Sequence, residues 1–187
     1  MENSTLIDPM GDHKPVTLFR NALNYGLYTS VGFIIVYLLF YALDVDRTGW
    51  VNYLAFLVLV AGIYFGIKAY RDKYSGGFLS YGSCLGTGVI ISVIVGVVMA
   101  VYTYLFFQFF DPSELTKIIE MTEQKMVDKG LTDDQIDQAM AISSKFMSPV
   151  MMAISSIFGM ALWGTIFSLI LSIFLKKNDD SFAGTHA

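Results

Sequence analysis

Four stretches of this chain contain no charged residue: Asn21–Leu43, Thr48–Ile67, Tyr74–Phe110 and Phe146–Leu175. At about 1.5 Å of rise per residue, each is long enough as a helix to cross roughly 30 Å of hydrocarbon. Inside lipid every backbone N–H and C=O must be bonded within the protein, so long uninterrupted apolar runs of this kind fold as spanning helices. Composition agrees. Apolar residues make up 55% of the chain and charged residues 15%, against about 25% charged in an average soluble domain. An ordinary soluble globular domain is thereby excluded. The expected fold class is all-α: an integral membrane bundle of four transmembrane helices, with an extramembrane amphipathic helical hairpin between spans 3 and 4.

The boundaries follow from charges, prolines and glycines. Residues 1–19 read as a polar tail, residues 20–177 as the membrane domain, and residues 178–187 as a second polar tail. The spans are expected at about 21–43, 50–67, 83–108 and 149–175. The first apolar run follows Glu2, Asp8 and Asp12 against Lys14 alone. It lacks a basic leader and is read as a retained span rather than a secretory signal. The short 44–49 turn makes spans 1 and 2 an antiparallel hairpin. Tyrosines at both ends of span 1, with Trp50 and Tyr53 opening span 2, match an interfacial aromatic belt. Lys68, Arg71 and Lys73, followed by Gly76-Gly77, mark a boundary and a turn. Phe78–Ser83 is expected as an interfacial entry to span 3.

Residues 111–145 differ in kind. They hold eight carboxylates and four lysines. Asp111-Pro112-Ser113-Glu114 is a helix start, with Asp at the N-cap and Pro at the first helical position. Leu115, Ile118, Ile119, Thr122 and Met126 then recur at helical spacing. Gly130 stops that helix, and Thr132-Asp133-Asp134-Gln135 is a capping box for a second. The second helix has Ile136, Ala139, Met140, Ser143 and Met147 as its apolar face. Ser148-Pro149 predicts either a fresh helix start or a kink.

Of the twelve Lys and Arg residues, seven lie on the side of the N-terminal tail, the 68–82 loop and the C-terminal tail. One lies in the 44–49 turn and four in the hairpin. The excess of cations predicts cytoplasmic termini and an outward-facing hairpin 111–145.

The motifs speak more of packing than of chemistry. Gly62 and Gly66, Gly82 and Gly86, and Gly164 with Ser168 and Ser172 recur every four residues. That spacing allows backbones to approach closely in lipid, and is read first as packing within the bundle and second as a homodimer contact. Lys68, Arg71 and Lys73 form a basic cluster at the membrane surface, read first as a topology signal and second as a contact for anionic headgroups. The polar residues within the spans, Asn52, Ser92, Thr103, Gln108, Ser155, Ser156, Thr165 and Ser168, are all non-ionisable, which argues against ion-coupled or proton-coupled transport.

The 128–134 stretch fails the ligand pattern of a calcium loop, because its third position is Gly130 and its twelfth Ala139. The lone Cys84 excludes an intrachain disulfide and is read as a packing residue. His13 and His186 lie in opposite tails, so no metal site is expected. The methionines concentrated around the hairpin read as packed faces before they read as a partner surface. No catalytic set emerges, no cofactor is expected, and with a net charge of −4 nucleic acid is not an expected partner.

Gly66-Ile67-Lys68-Ala69-Tyr70-Arg71-Asp72, then Gly76-Gly77-Phe78-Leu79-Ser80-Tyr81-Gly82, carry a resemblance, as does Phe110-Asp111-Pro112 leading to a last span that ends in Phe-Leu-Lys-Lys. Over roughly residues 20–177 the chain resembles the bacterial membrane proteins of domain-of-unknown-function family 4199. The resemblance implies four spans and an inner-membrane location, and carries no activity or site residues. The functional expectation is a non-enzymatic binding or accessory component, with the lipid bilayer and either a membrane-protein partner or a second copy as its contacts. The alternative is a small oligomeric transporter or channel for an uncharged or weakly polar solute, built on helices broken near Gly86, Gly88 and Gly96.

Overall fold

The computed structural model describes residues 17–43 and 51–177. The 44–49 turn, Trp50, both histidines, residues 1–16 and residues 178–187 lie outside the described residues, as does the side chain of Asn52. Among the described residues six α-helices follow one another: α1 Leu18–Ala42, α2 Val51–Tyr74, α3 Tyr81–Leu105, α4 Ser113–Asp128, α5 Asp133–Phe146 and α6 Pro149–Leu175. A π-helical turn, Phe106–Phe110, extends α3. Helices α1, α2, α3 and α6 are the four long and apolar enough to cross a membrane. Their outward side chains are large and apolar, with Phe158 71% and Phe174 78% exposed. In water that surface would be a liability; in lipid it is the expected exterior.

Polar contacts at the two ends show that the spans alternate in direction. At one end Asn21 Nδ2 donates to the Gly66 carbonyl at 2.9 Å, joining the start of α1 to the end of α2. Leu79 and Lys177 exchange two backbone hydrogen bonds, of 2.8 and 3.0 Å, joining the entry of α3 to the exit of α6. At the other end the Tyr41 hydroxyl donates to Asp111 Oδ2 at 2.7 Å, joining the end of α1 to the chain just past α3.

Helix α3 is the centre of the bundle. It packs on α1, α2 and, most extensively, α6. Phe33, Leu59, Ile63, Ile67, Ile91 and Val95 are sealed in the core. Val93, Val97 and Val101, four residues apart, stay 39%, 48% and 56% exposed along the side of α3 that no helix covers.

Local signals set the helix ends. Thr17 Oγ1 accepts from Arg20 N–H, and Ser80 Oγ from Ser83 N–H, each at 3.3 Å. Ser148 Oγ accepts from Met151 N–H, with Pro149 in the first turn of α6. The fresh start is therefore what the structure shows at Ser148-Pro149, since α5 ends at Phe146. Gly130, at φ +77°, turns the chain between α4 and α5. Its N–H donates to the Val127 carbonyl, and Leu131 N–H reaches back to Met126. This double bond pattern closes a helix through a left-handed residue, a conformation that glycine adopts without a Cβ clash.

Two boundaries and one helix interior differ from expectation. Helix α2 continues to Tyr74 rather than stopping near Ile67, so Lys68, Arg71 and Lys73 sit on its last turns. Cations there complement the negative end of the helix dipole. Helix α3 starts at Tyr81, and Phe78–Ser80 is the extended segment that carries the Leu79 bridge. Helix α3 also runs unbroken through Gly86, Gly88 and Gly96. The broken helices on which a transport reading would stand are absent there, because each interior glycine keeps helical geometry.

Candidate functional site

The small residues expected to pack divide sharply. A Cβ at Gly62 would lie 2.7 Å from Thr29 Cγ2, and one at Gly66 would lie 3.2 Å from Tyr25 Cβ. These two glycines let α2 approach α1. A Cβ at Gly164 would run into the Ser92 side chain, and the Ser168 hydroxyl donates across the helix pair to the Leu85 carbonyl at 3.0 Å. Gly82 and Gly86 do otherwise. Among the described residues nothing lies within 4 Å of a Cβ at either position, so they are not packing positions within the bundle. The glycines of α3 that face α6 are Gly88 and Gly96, whose Cβ atoms would meet Ser168 Cβ at 2.8 Å and Ile157 Cα at 3.1 Å. Gly82 and Gly86 lie four residues apart and Gly88 and Gly96 eight, both multiples of the small-residue spacing, and only the direction in which each pair points separates them.

The buried polar side chains form no site of their own. Thr29, Ser30, Thr87 and Ser92 each donate to a carbonyl four residues earlier in their own helix. That is the ordinary way for a hydroxyl to enter lipid. Thr165 does the same to Ala161, and Ser156 donates to Ala153. Gln108 and Ser155 are exposed. Ser172 Oγ is buried without a hydrogen-bond partner among the described residues. Cys84 is fully buried in the core. No group of three or more His, Cys, Asp or Glu converges among the described residues.

The basic cluster is partly built into the fold. Arg71 Nη1 donates to the Leu175 carbonyl at 3.1 Å, and Arg71 Nε pairs with Asp72 at 2.7 Å. The guanidinium thus caps the last turn of α6, a long-range contact with no signature in the sequence. Lys68 Nζ lies 5.8 Å from the centre of the Tyr64 ring, and Lys177 Nζ lies 5.6 Å from that of Phe78. Lys73 is exposed.

At the opposite end, the Asp111 carboxylate is held from both of its oxygens. Its Oδ1 accepts from the Ser113 N–H at 3.0 Å and from the Ser113 hydroxyl at 2.5 Å, while Oδ2 accepts from Tyr41. These donors stabilise the charged form and hold the carboxyl below the usual carboxylate range, the Ser113 contact foremost. Pro112 already has helical angles, so Asp111 is the working cap of α4. Around it Tyr41, Phe106 and Phe110 pack ring against ring. The Asp-Pro start was legible in the sequence. Its partner Tyr41 read only as a belt residue, and no local signal links positions 70 residues apart.

The family profile described as protein of unknown function DUF4199 matches residues 24–177, which take in α1 from Asn24 onward, the other three candidate spans and the hairpin. The chain belongs to the DUF4199 family. Comparison with curated proteins and with solved structures gave no match. The matched range of this DUF4199 protein includes Arg71, Tyr41 and Asp111, the residues that tie the bundle together at its two ends.

Proposed function

We propose that this DUF4199 protein is a non-enzymatic accessory component of the inner membrane that acts by binding a membrane-protein partner. The observation that carries the reading is the construction of the α4–α5 hairpin. It is a folded, acidic element with its own caps, tied through Asp111 to α1. Most buried hydroxyls of the spans beneath it are spent on carbonyls of their own helices, so binding is a better account of the hairpin than chemistry. The excess of Lys and Arg at the opposite end supports cytoplasmic termini and an outward hairpin.

Native mass spectrometry of the protein, gently extracted from its own membrane, tests this. The full chain is expected to carry a discrete added protein mass. A chain with residues 113–146 replaced by a short Gly-Ser linker is expected to lose it. Retention of the same added mass without the hairpin overturns the proposal, as does a full chain found only as monomers or homo-oligomers.

A further inference from the structure

Two large apolar side chains of α5 stay exposed. The packed side of α5 is marked by Ile136, which is buried. Ile142 and Phe146 lie off that side, four residues apart and therefore one above the other, and are 62% and 57% exposed. Met147 and Ser148 separate the end of α5 from α6, whose outward row opens with Val150 at 53% exposure and continues to Phe158 at 71%. That row belongs to a helix apolar enough to cross a membrane, so its solvent is lipid. The exposed edge of α5 thus lies immediately before a lipid-facing helix in the chain. At about 100° per residue, Asp133 and Asp137 fall on nearly the opposite side of α5 from Ile142 and Phe146.

We infer that α5 lies along the membrane, with Ile142 and Phe146 immersed at the headgroup–acyl boundary and Asp133 and Asp137 facing water. The partner in this contact is the lipid surface itself. An interfacial helix sinks its apolar face only about 5–10 Å, a depth that two side chains on the turns next to α6 can reach. Lys145 flanks the immersed edge, where its aliphatic stem can lie along lipid while the ammonium reaches anionic headgroups. The seating needs no protein partner, so it goes beyond the proposed function and can fail independently of it.

Single cysteines at 133, 137, 142 and 146, in a Cys84→Ala background, carry a spin label in the full chain. The protein is reconstituted in phosphatidylethanolamine–phosphatidylglycerol vesicles. The ratio of oxygen to nickel-chelate accessibility is expected to be several-fold higher at 142 and 146 than at 133 and 137. Equal chelate access at all four positions overturns the inference. So does protection of 142 and 146 in native membranes but not in the vesicles, which would assign that edge to a protein. The unsubstituted chain gives a second reading with a diazirine-bearing phospholipid in the same vesicles. Adducts are expected in 139–147 as well as in α6, and adducts in α6 alone overturn the seating.

Discussion

Asp111 shows how one side chain joins two elements. One oxygen caps α4 through Ser113 and the other holds Tyr41 at the end of α1. Its folded pKa is lowered from the ordinary 3.8. A lowered carboxylate contributes stability that is present above the unfolded value and lost as pH falls through the folded one. The latch is therefore expected to hold from neutral pH down to the ordinary carboxylate range and to release only below it. Hydrogen exchange at the first amides of α4 as a function of pH checks this, and Tyr41→Phe is expected to speed that exchange at neutral pH. Two serines of α6 make an opposed pair. Ser168→Ala removes a bond between helices and is expected to destabilise by about 0.6 kcal/mol, the usual size of such a bond in membranes. Ser172→Ala removes a buried hydroxyl without a partner, a group whose desolvation costs about 1–3 kcal/mol, and is expected to be neutral or stabilising. Reversible unfolding in mixed micelles measures both.

Among the elements, α3 and α6 depend most on small residues. Gly96 faces the backbone of Ile157, which has little room to yield. Gly96→Val and Gly164→Val are expected to part the two helices and to destabilise by about 1–3 kcal/mol each, the range for overpacking a filled core. Gly82→Ala and Gly86→Ala, with open space around each Cβ, are expected to stay within about 0.5 kcal/mol, as substitutions that touch nothing do. If all four had equal effects, the assignment of facing and open glycines would be wrong. Helices α4 and α5 instead rest on local devices: the Asp111 cap, the Gly130 turn, and the Gln135 side chain, which accepts from Thr132 N–H at 3.0 Å. Gly130→Ala, at φ +77°, is expected to weaken the hairpin by about 1 kcal/mol, seen as faster amide exchange in α4 and α5 with α3 unchanged.

At the scale of the molecule, the two ends are closed differently. The end that carries most of the cations is tied by backbone and guanidinium contacts, through the Leu79–Lys177 bridge and the bond from Arg71 to Leu175. Arg71→Gln is expected to leave the bundle folded while opening the last turn of α6, read as faster tryptic cleavage at Lys176 and Lys177. The hairpin end is tied by Asp111 and a cluster of rings. The sequence by itself determined the four spans, the place of the hairpin, the start and stop of α4 and the start of α5. Each of these depends on a local quantity: charge-free length, a cap, a proline or a left-handed glycine. The tertiary structure alone decided that α3 is central, that Gly88 and Gly96 face a helix while Gly82 and Gly86 do not, that Arg71 caps α6, and that Tyr41 meets Asp111. The physical reason is that lipid and a neighbouring helix are equally apolar, so hydropathy marks a residue as membrane-embedded without saying which of the two it touches. Contacts between residues 70 or 104 apart in the chain exist only once the helices have chosen their neighbours.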